Sequence, residues 1–180
     1  QVRAMFRAAK QRIGEDGHPK VEIEIPLVSE IGEIKIVKAM IEEVAAETEF
    51  NNQVPYRLGI MVETPSAALS GKEVAEILGE HGFISFGTND LTQMTKGISR
   101  DGNDAALFLQ HYLEFDMYNY GKKHPFLSLD PKVVKLMKQF IEEARSVHPG
   151  FEVGICGEHG GDPYSIGVLH DIGLSIISMS

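Results

Sequence analysis

A single cysteine, Cys156, is all that the sequence offers of that residue, which excludes an internal disulfide framework and a metal cage built from several thiolates. One cysteine fits a reducing compartment, and a cytoplasmic location is expected. Basic charge is also scarce. Lys and Arg number 17 against 26 Asp and Glu, for a formal charge of −9. Binding nucleic acid through its phosphates needs the opposite sign, so no nucleic-acid partner is expected. An anionic small molecule stays open, because a few local groups can oppose the global sign. No apolar run reaches the roughly 18–20 residues that span a bilayer. No signal peptide precedes the first helical pattern, and no membrane partner is expected. Neither GxGxxG nor GxxxxGKS/T occurs.

What is present is the material of one domain. A length of 180 residues with 43% hydrophobic content supplies a sizeable core and argues against disorder. Val2, Met5, Phe6, Ala9 and Ile13 stand at helical spacing, predicting a helix over 1–14. It has no cap before it, and the last predicted strand has no helix after it, so a piece of a longer protein is expected. A short β-branched run bounded by turn residues predicts a strand at 21–28, and further strands are expected at 58–63, 83–86, 152–156 and 176–178. Helical patterns separate them. One runs from Glu30 to Thr48 with Ser29 as a possible N-cap, and one follows a Ser70–Glu73 capping box. A helical centre lies near 104–114 within the stretch 91–129. Asp130-Pro131 and Asp162-Pro163 each place a cap and a first-turn proline before further helices.

Strands alternating with helices demand a parallel sheet, because only a crossover can return the chain to start a parallel neighbour. Two α/β architectures fit. One is an open doubly wound sheet. The other is a (β/α)8 barrel, for which five strands in 180 residues would be the later part.

Polar residues gather where the strands end. Glu63-Thr64-Pro65 ends one strand, Gly87-Thr88-Asn89-Asp90 the next, and Cys156-Gly157-Glu158-His159 a third. Ligands of parallel α/β sheets bind at that edge. Glu63 and Asp90 are one βα repeat apart, and two carboxylates with water and substrate oxygens suit Mg²⁺ or Mn²⁺. Read blandly, Glu63 is a salt-bridge partner and Asp90 a helix cap. Gly87-Thr88-Asn89 is either an anion-holding turn or a plain strand-to-helix turn. Cys156 is either a small buried hydrophobe or an acid–base thiol. His159 reads as structural, bonded to a loop carbonyl. The aromatics Phe108, Tyr112, Phe115, Tyr118 and Tyr120 read as packing, and Lys122-Lys123 as a solvated loop.

These stretches resemble the phosphoenolpyruvate-utilising enzymes. Phe83-Ile-Ser-Phe-Gly-Thr-Asn-Asp-Leu-Thr-Gln-Met-Thr95 is similar to their signature, Gly154-Ile-Cys-Gly-Glu-His-Gly-Gly-Asp-Pro163 to their cysteine loop, and Met61-Val-Glu-Thr-Pro65 to their metal-glutamate strand. Ser85–Thr88, Ser99-Arg100-Asp101 and the His-Gly-Gly of the cysteine loop favour the dikinase branch. The synthase and the carrier-phosphorylating branches share only the first motif. A non-catalytic dimerisation module is the rival of another class.

The resemblance implies a (β/α)8 barrel that binds phosphoenolpyruvate or pyruvate, with residues 1–180 as its strands four to eight. It implies Mg²⁺ on Glu63 and Asp90, substrate contacts from Glu63, Gly87, Thr88, Asn89 and Asp90, and Cys156 as proton donor to the enolpyruvate carbon. The partners it implies are a phosphohistidine on a swivelling domain and a second copy in a homodimer. The family's substrate arginines fall on earlier strands, so the piece alone is expected to be inactive. Two positions depart from the pattern: His124 stands for an acidic or amide residue, and Met179 for a second cysteine. Five strands leave an eight-strand barrel open, and Ile23, Ile25, Ile60 and Ile84 are expected on its inner face, without opposite partners.

Overall fold

A computed structural model describes residues 1–50, 56–118 and 123–179. Helix α1 (Val2–Gly14) leads into β1 (Val21–Ile25), α2 (Ile31–Glu47) and β2 (Tyr56–Val62). A short α3 (Pro65–Ala68) and α4 (Gly71–Leu78) precede β3 (Phe83–Phe86). Then come α5 (Thr88–Lys96), α6 (Asn103–Glu114), α7 (Pro131–Val147) and β4 (Glu152–Ile155). A 3₁₀ turn (Glu158–Gly161), α8 (Pro163–Asp171) and β5 (Ile176–Ile177) complete it.

All four strand pairings are parallel, and the spatial order is β1-β2-β3-β4-β5. A doubly wound sheet reverses its order at a switch point so that helices reach both faces. This one never reverses. Crossovers of one hand then put their helices on one face, as in a barrel wall. Burial follows that rule. Ile23, Ile25, Ile60, Val62, Ile84, Phe86, Val153 and Ile155 are buried in one cluster with Ile34 and Ile41 of α2, Val74 of α4, and Met137, Phe140 and Ile141 of α7. Phe86 meets Phe140 edge-on, ring centroids 5.7 Å apart.

The expected inner-face isoleucines are therefore on the other side. Ile23, Ile25, Ile60 and Ile84 face the helices and have their partners. The opposite face is the polar one. Near the strand N-termini the Arg57 guanidinium gives 2.7 Å to Glu22 Oε1 and 3.0 Å to Glu152 Oε1, and lies 5.0 Å over the Phe83 ring. One planar fork thus ties β1, β2, β3 and β4 together.

The caps differ in part from expectation. Asp130 and Asp162 do cap α7 and α8, accepting from Lys132 N and Ser165 N. At α2 the capping box is Glu30–Glu33, one residue after Ser29. Ser70 makes no cap bond; its hydroxyl donates to the Ser66 carbonyl instead, 3.0 Å away. Strand β1 stops at Ile25, because Pro26 has no N–H for the ladder and Leu27 takes a φ of 51°. Helix α5 starts at Thr88 with Gly87 at its N-cap position, three residues before the Asp90 cap that the sequence left open.

Of the aromatic cluster, Tyr118 packs on Leu109 and Phe126, but Phe108 and Phe115 are exposed, at 56% and 72%. Lys123 lies over the Tyr164 ring. Tyr120 and Lys122 lie outside the described residues.

Candidate functional site

Register brings the site together. Val62 pairs with Phe86, and Phe86 with Ile155. The next residue on each strand is Glu63, Gly87 and Cys156, so the three leave the sheet abreast at its C-terminal edge. Backbone bonds carry the ladder one step further: Gly87 N–H donates to Val62 O at 3.1 Å, and Cys156 N–H to Phe86 O at 3.2 Å.

Glu63 is buried, and its Oε1 accepts from the Leu27 N–H at 2.8 Å. The left-handed turn at Leu27 belongs to the loop that delivers this donor. Among the described residues Glu63 forms no ion pair. Its other oxygen leans over Gly87, where a Cβ would come within 2.6 Å of Oε2. Only glycine leaves room for the carboxylate there.

Gly87 is the N-cap position of α5, so Thr88, Asn89 and Asp90 form its first turn. Asp90 sits where the helix dipole favours negative charge. Its Oδ1 accepts from Gln93 Nε2 at 2.9 Å, and Gln93 Oε1 accepts from Arg100 N–H at 2.7 Å. Asn89 Oδ1 faces the Glu158 N–H at 3.4 Å. Thr88 is 0% exposed, and its hydroxyl lies 2.8 Å from Nδ1 of His159, itself 0% exposed. The other ring nitrogen, Nε2, lies 2.9 Å from the Pro125 carbonyl, the loop carbonyl expected for it.

Cys156 is exposed, with Sγ 3.4 Å from Met61 Sδ. Partial loss of hydration pushes the thiol up, the Ser85 hydroxyl opposes that, and the charges of Glu24 and Glu63 add to it. With Gly157, Glu158, Ser178 and Met179 it lines a cleft of about 240 Å³. Met179, the departure near the last strand, is thus a wall of the cysteine's cleft.

Glu24 went unnoticed in the sequence. It shares the polar sheet face, and its Oε1 is buried without a hydrogen-bond partner among the described residues. Burial first, then the charge of Glu63, pushes its carboxyl up, eased by the Ser85 N–H and raised again by Glu22. The readable signal was Glu22 and Glu24 alternating with Val21, Ile23 and Ile25. A parallel strand covered on both faces would be apolar throughout.

A raised folded pKa means that the protonated carboxyl is favoured in the fold. That contribution is complete below the unfolded value, about 4.3, and is lost as pH rises through the raised folded value. Glu24→Gln, neutral at every pH, should therefore raise the melting temperature at pH 7.5 by roughly 2–4 °C and barely change it at pH 4. Melts of this chain followed by circular dichroism check it. An equal shift at both pH values would mean that charge is not the cause.

Glu63 and Asp90 are hard oxygen donors. Among the described residues no cluster of three or more His, Cys, Asp or Glu forms a closed cage. That donor set fits Mg²⁺ or Mn²⁺, which keep water and substrate oxygens, better than it fits a structural zinc.

The family model described as PEP-utilising enzyme, PEP-binding domain matches residues 1–180. Pyruvate, phosphate dikinase of Clostridium symbiosum is 44% identical over 186 residues, covering all of this chain and 20% of the relative. The same-named protein of Rhizobium meliloti (strain 1021) is 45% identical over 184 residues, with the same shares. Chloroplastic pyruvate, phosphate dikinase of Flaveria pringlei is 42% identical over 183 residues, covering all of the chain and 18% of the relative. The chain spans about a fifth of the length of these relatives. Among the described residues no helix is long and apolar enough to cross a membrane.

Proposed function

We propose, for a chain that belongs to the PEP-utilising enzyme, PEP-binding domain family, that it binds phosphoenolpyruvate or pyruvate at the edge formed by Glu63, Gly87–Asp90 and Cys156. In this reading residues 1–180 are strands four to eight of a (β/α)8 barrel, part of a pyruvate, phosphate dikinase. The overall reaction would interconvert ATP, phosphate and pyruvate with AMP, diphosphate and phosphoenolpyruvate. The phosphoryl group would pass to a phosphohistidine on a swivelling domain, and the whole protein would be a homodimer. The observation that carries the reading is the register. Three chemically distinct groups, a carboxylate, a helix N-terminus and a thiol, leave adjacent strands side by side.

Each group then has a task. The first turn of α5 offers backbone N–H groups and a positive dipole end to an anionic ligand. Glu63, steadied by the Leu27 N–H, and Asp90, steadied by Gln93, would hold Mg²⁺. That ion would supply Lewis-acid stabilisation of enolate and phosphoryl charge. Cys156, a thiol whose pKa partial burial pushes up from its ordinary value, would deliver a proton to the enolpyruvate methylene carbon.

Calorimetric titration of the full-length protein with phosphoenolpyruvate, with and without Mg²⁺, tests the reading. Binding should strengthen with Mg²⁺, and Glu63→Gln should weaken that Mg²⁺-dependent part about tenfold or more, the loss of one charged contact. Binding that ignores both Mg²⁺ and the substitution would overturn it.

A further inference from the structure

Three contacts meet at a residue pair that has no exposed surface. Thr88 and His159 are both wholly buried, come from different βα units, and touch through Oγ1 and Nδ1 at 2.8 Å. The Pro125 carbonyl can only accept, so the proton of the ring sits on Nε2. Burial keeps the ring neutral by lowering its pKa. Nδ1 is then an acceptor, and the Thr88 hydroxyl must donate to it. The hydroxyl has no proton left for a substrate and no exposed surface from which to give one.

The same hydroxyl presses on the cysteine loop. A Cβ at Gly157 would fall 1.9 Å from Thr88 Oγ1 and 3.1 Å from Thr88 Cβ. Gly157 follows Cys156 directly, so the place of the hydroxyl sets how closely the thiol's loop approaches the first turn of α5. His159 also anchors the far side. Beyond Pro125 the same segment is held by Ser165 Oγ, which accepts from Leu129 N–H at 3.0 Å and donates to Asp162 Oδ2. Asp130 closes the circuit with an ion pair to Lys96 in the last turn of α5.

We propose that His159 and Thr88 are a buried positioning pair. His159 orients the Thr88 hydroxyl, the hydroxyl spaces the Cys156 loop from the Gly87–Asp90 turn, and neither side chain touches substrate. This rests on the reading of the site given above and adds to it. Thr88, which the family resemblance counts among the substrate contacts, acts by placing its neighbours.

The ring's two nitrogens separate the roles. In the full-length protein, His159→Asn keeps an acceptor toward Thr88 and loses the donor to Pro125. His159→Gln keeps a donor toward Pro125 and loses the acceptor near Thr88. Thr88→Val keeps the shape and removes the hydroxyl. Two readouts are taken well below the melting temperature. One is maleimide labelling of Cys156, read by mass spectrometry on its peptide. The other is solvent exchange of the methyl protons of pyruvate.

His159→Gln and Thr88→Val should each speed labelling at least fivefold and lower kcat for exchange about 10–100-fold, as a misplacement near 1 Å does. KM for pyruvate should stay within about threefold. His159→Asn should restore most of both properties. The Thr88→Val/His159→Gln double variant should be no worse than either single one, since both break one contact.

Asn and Gln variants that lose kcat equally, or labelling that is unchanged in all three, would overturn the proposal. A wild-type protein that exchanges no methyl protons would sink the functional reading instead. The labelling pattern would still decide the pair on its own.

Discussion

In the full-length protein, Cys156→Ala should lower solvent exchange at the methyl group of pyruvate by roughly 10²–10⁴, the span that a positioned acid or base contributes. The step needs a group that takes a proton from the methyl carbon in one direction and returns it in the other. Cys156 is the exposed residue that follows β4, abreast of Glu63 and Gly87. Partial burial and the charges of Glu24 and Glu63 push its pKa up against the Ser85 hydroxyl, so the thiol holds the proton it is to deliver. Proton removal from pyruvate uses the thiolate. Exchange should therefore rise with pH until the raised thiol pKa is passed. Cys156→Ser should fare little better than alanine, because a hydroxyl is a far weaker acid. Phosphorylation of the proposed histidine by nucleotide should survive in both variants, since that chemistry would lie in another domain. Proton exchange by NMR in deuterated buffer is the measurement. Undiminished exchange would assign the acid elsewhere, with the Glu24 carboxyl, whose charge bears on the thiol, as the first alternative.

Much of the scaffold was legible because its strands are β-branched runs punctuated by turn residues, and these stood out as five. Which side of each strand meets the helices was not legible from alternation alone. Period two separates the faces without saying which is covered. Ile23, Ile25, Ile60 and Ile84 were assigned to the inner face of a barrel as apolar residues, whereas the helices claim them and the sheet's other face takes Glu22, Glu24 and Arg57. The charges within β1 carried that information. The start of helix α5 was misplaced for a different reason. Thr88, Asn89 and Asp90 have low helix propensity and high turn propensity. Their first turn is helical because Gly87 caps it and the dipole suits Asp90.

The site divides the same way. Glu63, Gly87 and Cys156 could be found because each ends a strand, and strand ends are visible locally. The Thr88–His159 contact joins residues 71 apart, and its hydrogen-bond direction is set by Pro125 from a third segment. Pairings of that kind come from tertiary packing. Even the glycine at 157 explains itself only in the structure, where its backbone has φ −79° and ψ 165°, which any residue adopts, and Thr88 Oγ1 stands where a Cβ would go. A glycine without a conformational need marks a close approach.

Asp90→Asn should cost the full-length protein more than about a hundredfold in turnover while leaving its fold intact. The substitution is nearly isosteric. An asparagine Oδ1 still accepts from Gln93 Nε2, now at 2.9 Å, so the link through Gln93 to the Arg100 N–H persists. What disappears is one negative charge in the first turn of α5. As a helix-end interaction that charge is worth about 0.3–1 kcal/mol, or a few degrees of melting temperature at most. As a ligand to Mg²⁺ that offsets enolate and phosphoryl charge in a water-poor site, it would be worth about 3 kcal/mol or more, as one oxyanion-stabilising group is. The two roles of Asp90 open in the sequence, helix terminus and metal ligand, thus predict different ratios of lost activity to lost stability. Turnover and melting temperature measured on the same preparation separate them. Loss of turnover without loss of stability assigns the carboxylate to the ligand site. Wild-type turnover with a slightly lower melting temperature would make Asp90 a helix-terminal residue only, and the second carboxylate for the ion would have to be sought elsewhere, first at Glu24, which feels the charge of Glu63.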